Sequence, residues 1–557
     1  MSKRNRQIPI HSPAQPEETA ANRPSVLHWL LLALVLVLVV AVRLRLLALP
    51  LERDEGEYAY MGQLLLKGYA PFEMAYNMKF PGTSMMYALI MMVFGKSAEG
   101  IHAGFMLINL GTVLLIFLAA RRFMGNEIAV FASASYALLS LSPAVLGSAA
   151  HATHFVMLFA VAGIFQLLMA IKSKSTLRLF IGGLLLGLCV LMKQSGIFFA
   201  TFGGLVFLYN QVFIQKRKWT RWMLSATVLA TGITLPVAML FLWMYMAGTF
   251  DRFWFWTMSY GSQYAGTESL SRGLANLQVN LDGLQNDFLI LWMLAPVGWL
   301  LLWNGNYKYQ TKLFITFLAI VSLASVFPGL YFRQHYFIMF LPILSVLAAV
   351  AIDSIGKWIS FQSKIIGSAG AGILIFVLVG IAGIIPLRWY LFEQNMFAVS
   401  RSIYGSNPFP ESVTIGRYIK NNTDETDQVA ILGSEPQIYF YADRLSATGY
   451  IYTYSLMEDQ AFNERMQEEM IAEIEAQHPE VLIFCRIPQS WLVRDGSPDK
   501  ILDWVNTYTT AHYDETGVME IPPGYGPANF YWNEQVSQFK GTSDKQVYIF
   551  RRKKSSP

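Results

Sequence analysis

Long apolar runs separated by short polar loops fill the first two thirds of the chain. Runs of about twenty apolar residues have the length of a bilayer-crossing helix. They fall near residues 27–49, 100–120, 127–146, 154–171, 178–193, 197–214, 222–247, 286–303, 313–328, 336–352 and 365–386, which predicts about eleven membrane helices. One more apolar stretch, "TSMMYALIMMVFG" at 83–95, is too short to cross and reads as a re-entrant or interfacial helix. The pattern changes from Leu387 onward. "DQVAILG", "PEVLIFC" and "KQVYIFRRK" read as strands, and "NERMQEEMIAEIEAQ" reads as an amphipathic helix. The expectation is a mainly α, polytopic membrane domain over 26–386, with a soluble α/β domain over 387–557. No repeat of 20–50 residues is evident.

The polar segments set an orientation. Residues 1–25 are polar and proline-bearing and read as a disordered tail. Lys and Arg cluster in this tail and in "RRFMG", "KSKSTLR", "QKRKWTR", "NYKYQTK" and "KWISFQSK". The alternate loops hold few such clusters. The positive-inside rule places the N-terminus in the cytoplasm and the C-terminal domain outside a cytoplasmic (inner) membrane. Only 14% of the 557 residues are charged and 54% are hydrophobic, so a soluble enzyme is excluded. The net charge of +5 fits basic loops, not a nucleic-acid surface. Two cysteines, Cys189 and Cys485, carry no redox signal.

The loop after the first run concentrates the chemistry. "LERDEGEY" puts Glu52, Asp54, Glu55 and Glu57 within six residues. An acid at a helix centre in the bilayer costs roughly 2.5–3.5 kcal/mol, so these four lie outside the lipid. Apolar and aromatic residues (Tyr58, Met61, Leu64, Leu65) follow at helical spacing, which predicts a surface helix with the carboxylates near its N-terminal end. Such a carboxylate is placed to act as a base. Lys79, beside a proline-glycine turn, is placed to meet an anion, with interfacial snorkelling as its plainer reading. Arg333 and His335 stand among aromatics in "VFPGLYFRQHYF", and arginine suits bidentate phosphate contact. His151 and His154 are three apart and so share a helix face at the mouth of a span, a spacing that can hold a divalent metal. Trp254 and Trp256 read as an aromatic belt, with sugar stacking as the second reading.

The stretch "RDEGEYAYMGQLLLKGYAPF…MKFPGTSMMYALIMMVFG…INLGTVLLIFLAARRFMG" resembles the N-terminal signature of the family 39 glycosyltransferases, with their protein O-mannosyltransferase, aminoarabinose transferase and Rgt-like members. "FRQHYFIMFLPILSVLAAVAI" is similar to the family's late basic-aromatic motif, where Tyr336 joins His335. The resemblance spans roughly 27–350. It implies the multi-span GT-C fold, a polyprenyl-phosphate sugar donor, and transfer to a lipid, glycan or protein acceptor on the outer face of the membrane. It implies Asp54 as catalytic acid/base beside Glu55, with Lys79 and then Arg333 against the donor phosphate. His335, Tyr336 and His154 become candidates for the substrate site. Two departures stand out: Phe80 where the family has proline, and "HATHF" where many members carry an acid, with His154 in that place. Metal dependence is therefore an open reading, and no cofactor is otherwise implied. The alternative, a transporter or lipid flippase, needs charged or broken helices near the midplane. Lys193, Gln194 and Asp353 are the few candidates, and all lie near span ends.

Overall fold

A computed structural model of the chain describes residues 25–284, 287–363, 366–524 and 526–554. The expected N-terminal tail lies outside them except for Ser25. Nine helices open the membrane region: α1 (Val26–Arg45), α2 (Arg53–Leu66), α3 (Gly82–Phe94), α4 (Ala98–Met124), α5 (Asn126–Leu139), α6 (Ala152–Ser173), α7 (Thr176–Met192), α8 (Ile197–Tyr209) and α9 (Trp219–Met246). Four further apolar helices cover Leu289–Asn304, Tyr309–Ala324, Leu341–Ser363 and Ser368–Ile384. Among the described residues, six helices are long and apolar enough to cross a membrane. With α2 and α3 set aside, eleven of these helices coincide with the eleven expected runs.

Three boundaries differ from the expectation. α5 stops at Leu139, and a 3-10 turn at Pro143–Val145 replaces the rest of the run to 146. The run at 336–352 begins as a 3-10 turn, Gln334–Met339, and the helix starts at Leu341. Pro342 fits that start, because a first helical turn does not need the N–H that proline lacks. The helix expected to carry both His151 and His154 begins at Ala152, with His151 extended ahead of it (φ −62°, ψ 150°). α3 has 13 residues, so at 1.5 Å per residue it spans about 20 Å, short of the ~30 Å hydrocarbon core.

The C-terminal part forms one six-stranded mixed sheet in the order β2-β1-β3-β6-β4-β5. Its strands are β1 (Gln428–Leu432), β2 (Leu445–Ser446), β3 (Val481–Arg486), β4 (Tyr513–Glu520), β5 (Asn529–Trp532) and β6 (Gln546–Arg552). β1 runs parallel to both neighbours, and β3, β6, β4 and β5 pair antiparallel. The helix Asn463–Gln477 turns Met466, Met470 and Ile474 inward and Glu464, Glu468 and Glu475 outward, which is why an i, i+4, i+8 spacing marks it in the sequence.

The sheet region is fastened to α2. A capping box starts this helix: Glu52 accepts from the Glu55 amide at 2.8 Å, and Glu55 accepts from the Glu52 amide at 3.3 Å. Arg53 then enters the turn after β1. It bonds the Ser434 carbonyl, Glu435 Oε1 at 2.6 Å and Asn407 Oδ1 at 2.9 Å. Tyr60 stacks on Tyr439 at 5.0 Å, and Gln63 donates to the Phe440 carbonyl at 3.2 Å. Between them Gly56 touches Gln437 so closely that a Cβ would stand 2.6 Å from its backbone.

Two outcomes follow from this seam. Gly56→Ala should overpack it and cost about 1–3 kcal/mol, read as a lower melting temperature of the detergent-solubilised chain. Glu435→Ala leaves the Arg53 guanidinium buried without its carboxylate and should cost about 3–5 kcal/mol. A melting temperature unchanged by both substitutions would show that α2 does not depend on this contact.

Candidate active site

One cavity of about 910 Å³ opens where α2, the loop before α3, the α7–α8 junction, the turn before Leu341 and the sheet region meet. Asp54 reaches it from the first turn of α2, where the helix N-terminus favours negative charge. Its Oδ1 lies 3.1 Å from Lys79 Nζ, and the same ammonium is 2.7 Å from Glu57 Oε2. Lys79 is held there by the local chain, its amide donating to Asn77 Oδ1 at 3.0 Å. Burial alone would push the Asp54 carboxyl up. Lys79, then His335, His151 and Arg333, outweigh that and hold it well below the usual carboxylate range. Burial pushes Glu57 up, and Lys79 returns only part of the shift.

Glu55 points the other way. It is fully buried, 3.0 Å from His102 Nε2, and it accepts from the Ala150 amide at 2.6 Å. It therefore holds α2 against α4 and the loop before α6, and it does not line the cavity. His154 also turns away, with its ring 4.7 Å from that of Phe105. Residues three apart share a face only inside a helix, and His151 precedes the helix that contains His154. It is His151 that lines the cavity. Its ring stacks on His335 at 4.2 Å with an interplanar angle of 13°. Both imidazoles approach Asp54 Oδ2, each at 3.8 Å. Asp54, His151 and His335 are the described residues that bring together donor atoms for a metal ion, all within 4.8 Å of one another.

The cavity also holds cations without a carboxylate. Arg333 and Lys193 both line it, and neither forms an ion pair among the described residues. Lys193 Nζ sits 3.5 Å over the Tyr336 ring, and the Arg333 guanidinium lies 5.6 Å over that of Tyr331. Burial, with repulsion from Lys79, lowers the Lys193 ammonium to about 7. Tyr264 stacks on Tyr331 at 4.6 Å, and the sheet region adds Tyr452 and Tyr454. Trp256 is buried against Tyr76 and faces the same space, whereas Trp254 is exposed. Lys193, His151 and Glu57 were not singled out as site residues from the sequence. Lys193 carried a signal, a lone cation at the end of an apolar run. His151 was named only as half of a pair.

Comparisons with known proteins now have a geometry to meet. Residues 79–243 match the dolichyl-phosphate-mannose-protein mannosyltransferase family. No curated protein matches the chain. ArnT from Cupriavidus metallidurans, bound to undecaprenyl phosphate, aligns over 94% of this chain and 97% of its own, at 14% identity and a TM-score of 0.57. The archaeal oligosaccharyltransferase AglB from Archaeoglobus fulgidus, in complex with an inhibitory peptide and a dolichol-phosphate, aligns over 91% of this chain and 74% of its own, at 13% identity and a TM-score of 0.52. The segment match and the whole-chain likeness agree, and this chain has the GT-C fold of the membrane glycosyltransferases.

Proposed function

We propose that the chain moves one sugar from a polyprenyl-phosphate donor to a hydroxyl of a lipid, glycan or protein acceptor, at the outer face of a cytoplasmic membrane. The observation that carries this reading is one aromatic-walled cavity that brings Asp54, ion-paired through Lys79, together with Lys193 and Arg333, which form no ion pair among the described residues. In the step, the bond from the anomeric carbon to the phosphate oxygen breaks, and the acceptor oxygen bonds that carbon. The hydroxyl proton passes to Asp54, and the phosphate leaves as an anion. A carboxylate held low by Lys79 is a weak base. That suits a transfer in which the anomeric carbon becomes cationic first and the attacking hydroxyl turns acidic as it bonds.

Lys79 already serves two carboxylates, so its part is to fix Asp54. The departing charge falls to Lys193 and Arg333, which meet it without first giving up a partner. A second cavity, of about 1040 Å³, supports a lipid donor. Apolar side chains from α4, α6, α8, Tyr309–Ala324 and Leu341–Ser363, such as Ile164, Leu168, Phe314 and Ile343, dominate its lining. Pro342, Ile343 and Val346, on the helix that follows Tyr336, form part of its wall. ArnT and AglB, which share the fold, are described with undecaprenyl phosphate and a dolichol-phosphate. A transporter would place its charges along the middle of the bundle, and here they gather at one end.

Asp54→Asn keeps the volume and removes the base. It should lower release of free polyprenyl phosphate from polyprenyl-phosphate sugars by at least a thousandfold while leaving the melting temperature intact. Normal release by this variant would remove Asp54 from the chemistry. Lys193 gives a pH signature. An ammonium lowered to about 7 is charged at pH 6 and mostly neutral at pH 8, so donor KM should rise over that interval. Lys193→Arg should flatten the rise, and an equal slope in both proteins would take Lys193 out of the phosphate seat.

A further inference from the structure

A second polar cluster lines the same cavity, and no step assigned above uses it. Glu458 directly follows the helix Tyr454–Met457, and Arg494 comes shortly after the helix Pro488–Trp491, both in the sheet region. Glu268 lies just before the helix Leu270–Leu284, and Tyr331 just after the 3-10 turn Pro328–Leu330. Arg494 Nη2 pairs with Glu268 Oε1 at 2.9 Å. Glu458 is 5% exposed, and its Oε2 accepts from the Tyr260 hydroxyl at 2.6 Å. Its Oε1 accepts no hydrogen bond among the described residues. Tyr331 is 9% exposed, and its hydroxyl is buried without a hydrogen-bond partner, as is Arg494 Nη1. The charged groups that act on this hydroxyl are Glu458, Arg494 and Glu268. Buried donors left unmet beside a half-used carboxylate are costly, and a ligand with hydroxyls removes that cost.

Arg333 borders this cluster as well as Asp54. Its guanidinium stands 5.6 Å over the Tyr331 ring, and its charge acts on both Glu458 and Asp54. Aromatic rings adjoin the polar groups. Trp256 and Tyr260 meet edge to face at 5.3 Å, and Tyr264 stacks on Tyr331. We propose that Glu458, Tyr331 and Arg494 form a carbohydrate subsite. Glu458 Oε1 accepts from one ring hydroxyl, and the Tyr331 hydroxyl and Arg494 Nη1 donate to neighbouring sugar oxygens. A hydroxyl both donates and accepts, and the C–H face of a sugar is apolar, so this mixture of one acceptor, two donors and aromatic walls suits a sugar ring. The inference deepens the reading of the chain as a sugar transferase and rests on it for the source of the ring. The donor's sugar is the favoured occupant, because it is bonded to the phosphate that Arg333 meets. Glu268 acts through Arg494 and is a positioning residue. Such a site ranks sugars, since a ring that lacks the hydroxyl opposite Glu458 leaves the carboxylate buried and unmet. The sheet region then contributes specificity as well as a wall.

The test reads sugar binding separately from transfer. The full chain in nanodiscs is titrated with the methyl glycosides of mannose, glucose and galactose and with their monodeoxy forms, followed by saturation-transfer NMR. Wild type should prefer one ring, and one deoxy form of that ring should bind roughly ten- to hundredfold more weakly. Glu458→Gln and Tyr331→Phe should each abolish that preference without lowering the melting temperature. Donor kinetics then assign the ring. A donor KM raised roughly ten- to hundredfold by Glu458→Gln places the donor's sugar in the subsite. An unchanged donor KM with weakened glycoside binding gives the subsite to an acceptor glycan. Absence of glycoside binding by wild type would overturn the proposal, as would an equal preference in wild type and both variants. Should Glu458→Gln fail to fold, Tyr331→Phe decides, because it removes one oxygen atom, and a preference kept in that variant overturns the subsite. Ring preference without release of polyprenyl phosphate would support the subsite and count against sugar transfer as the reaction.

Discussion

Four carboxylates within six residues, at the start of one buried helix, form the constraint around which this end of the molecule is arranged. A buried carboxylate without a partner is costly, so each needs an opposite charge or a set of donors. The chain meets that need from far apart. Lys79 comes from the loop before α3 and takes two of the acids, His102 comes from α4, and the Ala150 amide comes from the loop before α6. These partners pin α2 against α3, α4 and α6 at once. The same pins leave Asp54 with one oxygen bound to Lys79 and the other facing the stacked histidines.

That arrangement divides the cations into two kinds. Lys79 is committed to two carboxylates at 3.1 and 2.7 Å, and an incoming phosphate would have to compete with both. Lys193 and Arg333 rest on aromatic faces, which attract a cation without neutralising it. A half-buried ammonium over a tyrosine ring is only partly repaid for its lost water, and its lowered titration reflects that deficit. An arriving anion removes the deficit, so the cost of burying these cations without a carboxylate favours binding the charge that the proposed reaction releases.

The apolar helices were legible in the sequence because long uncharged runs have few other folds available to them. The helix Asn463–Gln477 and strands β1, β3 and β6 were legible for a similar reason, since each repeats its pattern over its own length. The capping acids of α2 and the placement of Asp54 at its start were equally local. What was not legible depends on partners distant in the chain. Arg53 meets Glu435 across 382 positions, and no local pattern marks either residue for the other. The separation of His151 from His154 turned on a helix beginning one residue later than the spacing suggested. Glu55 and Asp54 are neighbours that differ by about 100° around a helix, enough to send one to the cavity and the other to α4.

The sheet region is then more than an appended part. The residue before Asp54 is anchored in the turn after β1, where Glu435 also accepts from Ser490 and Gln437, at 2.7 and 2.6 Å. The backbone that sets the direction of Asp54 is therefore held on one side by membrane helices and on the other by the sheet. Tyr452 and Tyr454, from the segment after β2, close the wall facing Lys79 and Arg53, with the Lys79 ammonium 6.0 Å from the Tyr452 ring and the Arg53 guanidinium 5.5 Å from that of Tyr454. Removing the sheet would open the cavity to water on that face and strip the first turn of α2 of its anchor. Water would raise the local dielectric and weaken the pairing of Asp54 with Lys79. A catalytic constellation that needs low dielectric and a fixed carboxylate depends on both, and in this chain one C-terminal turn supports both.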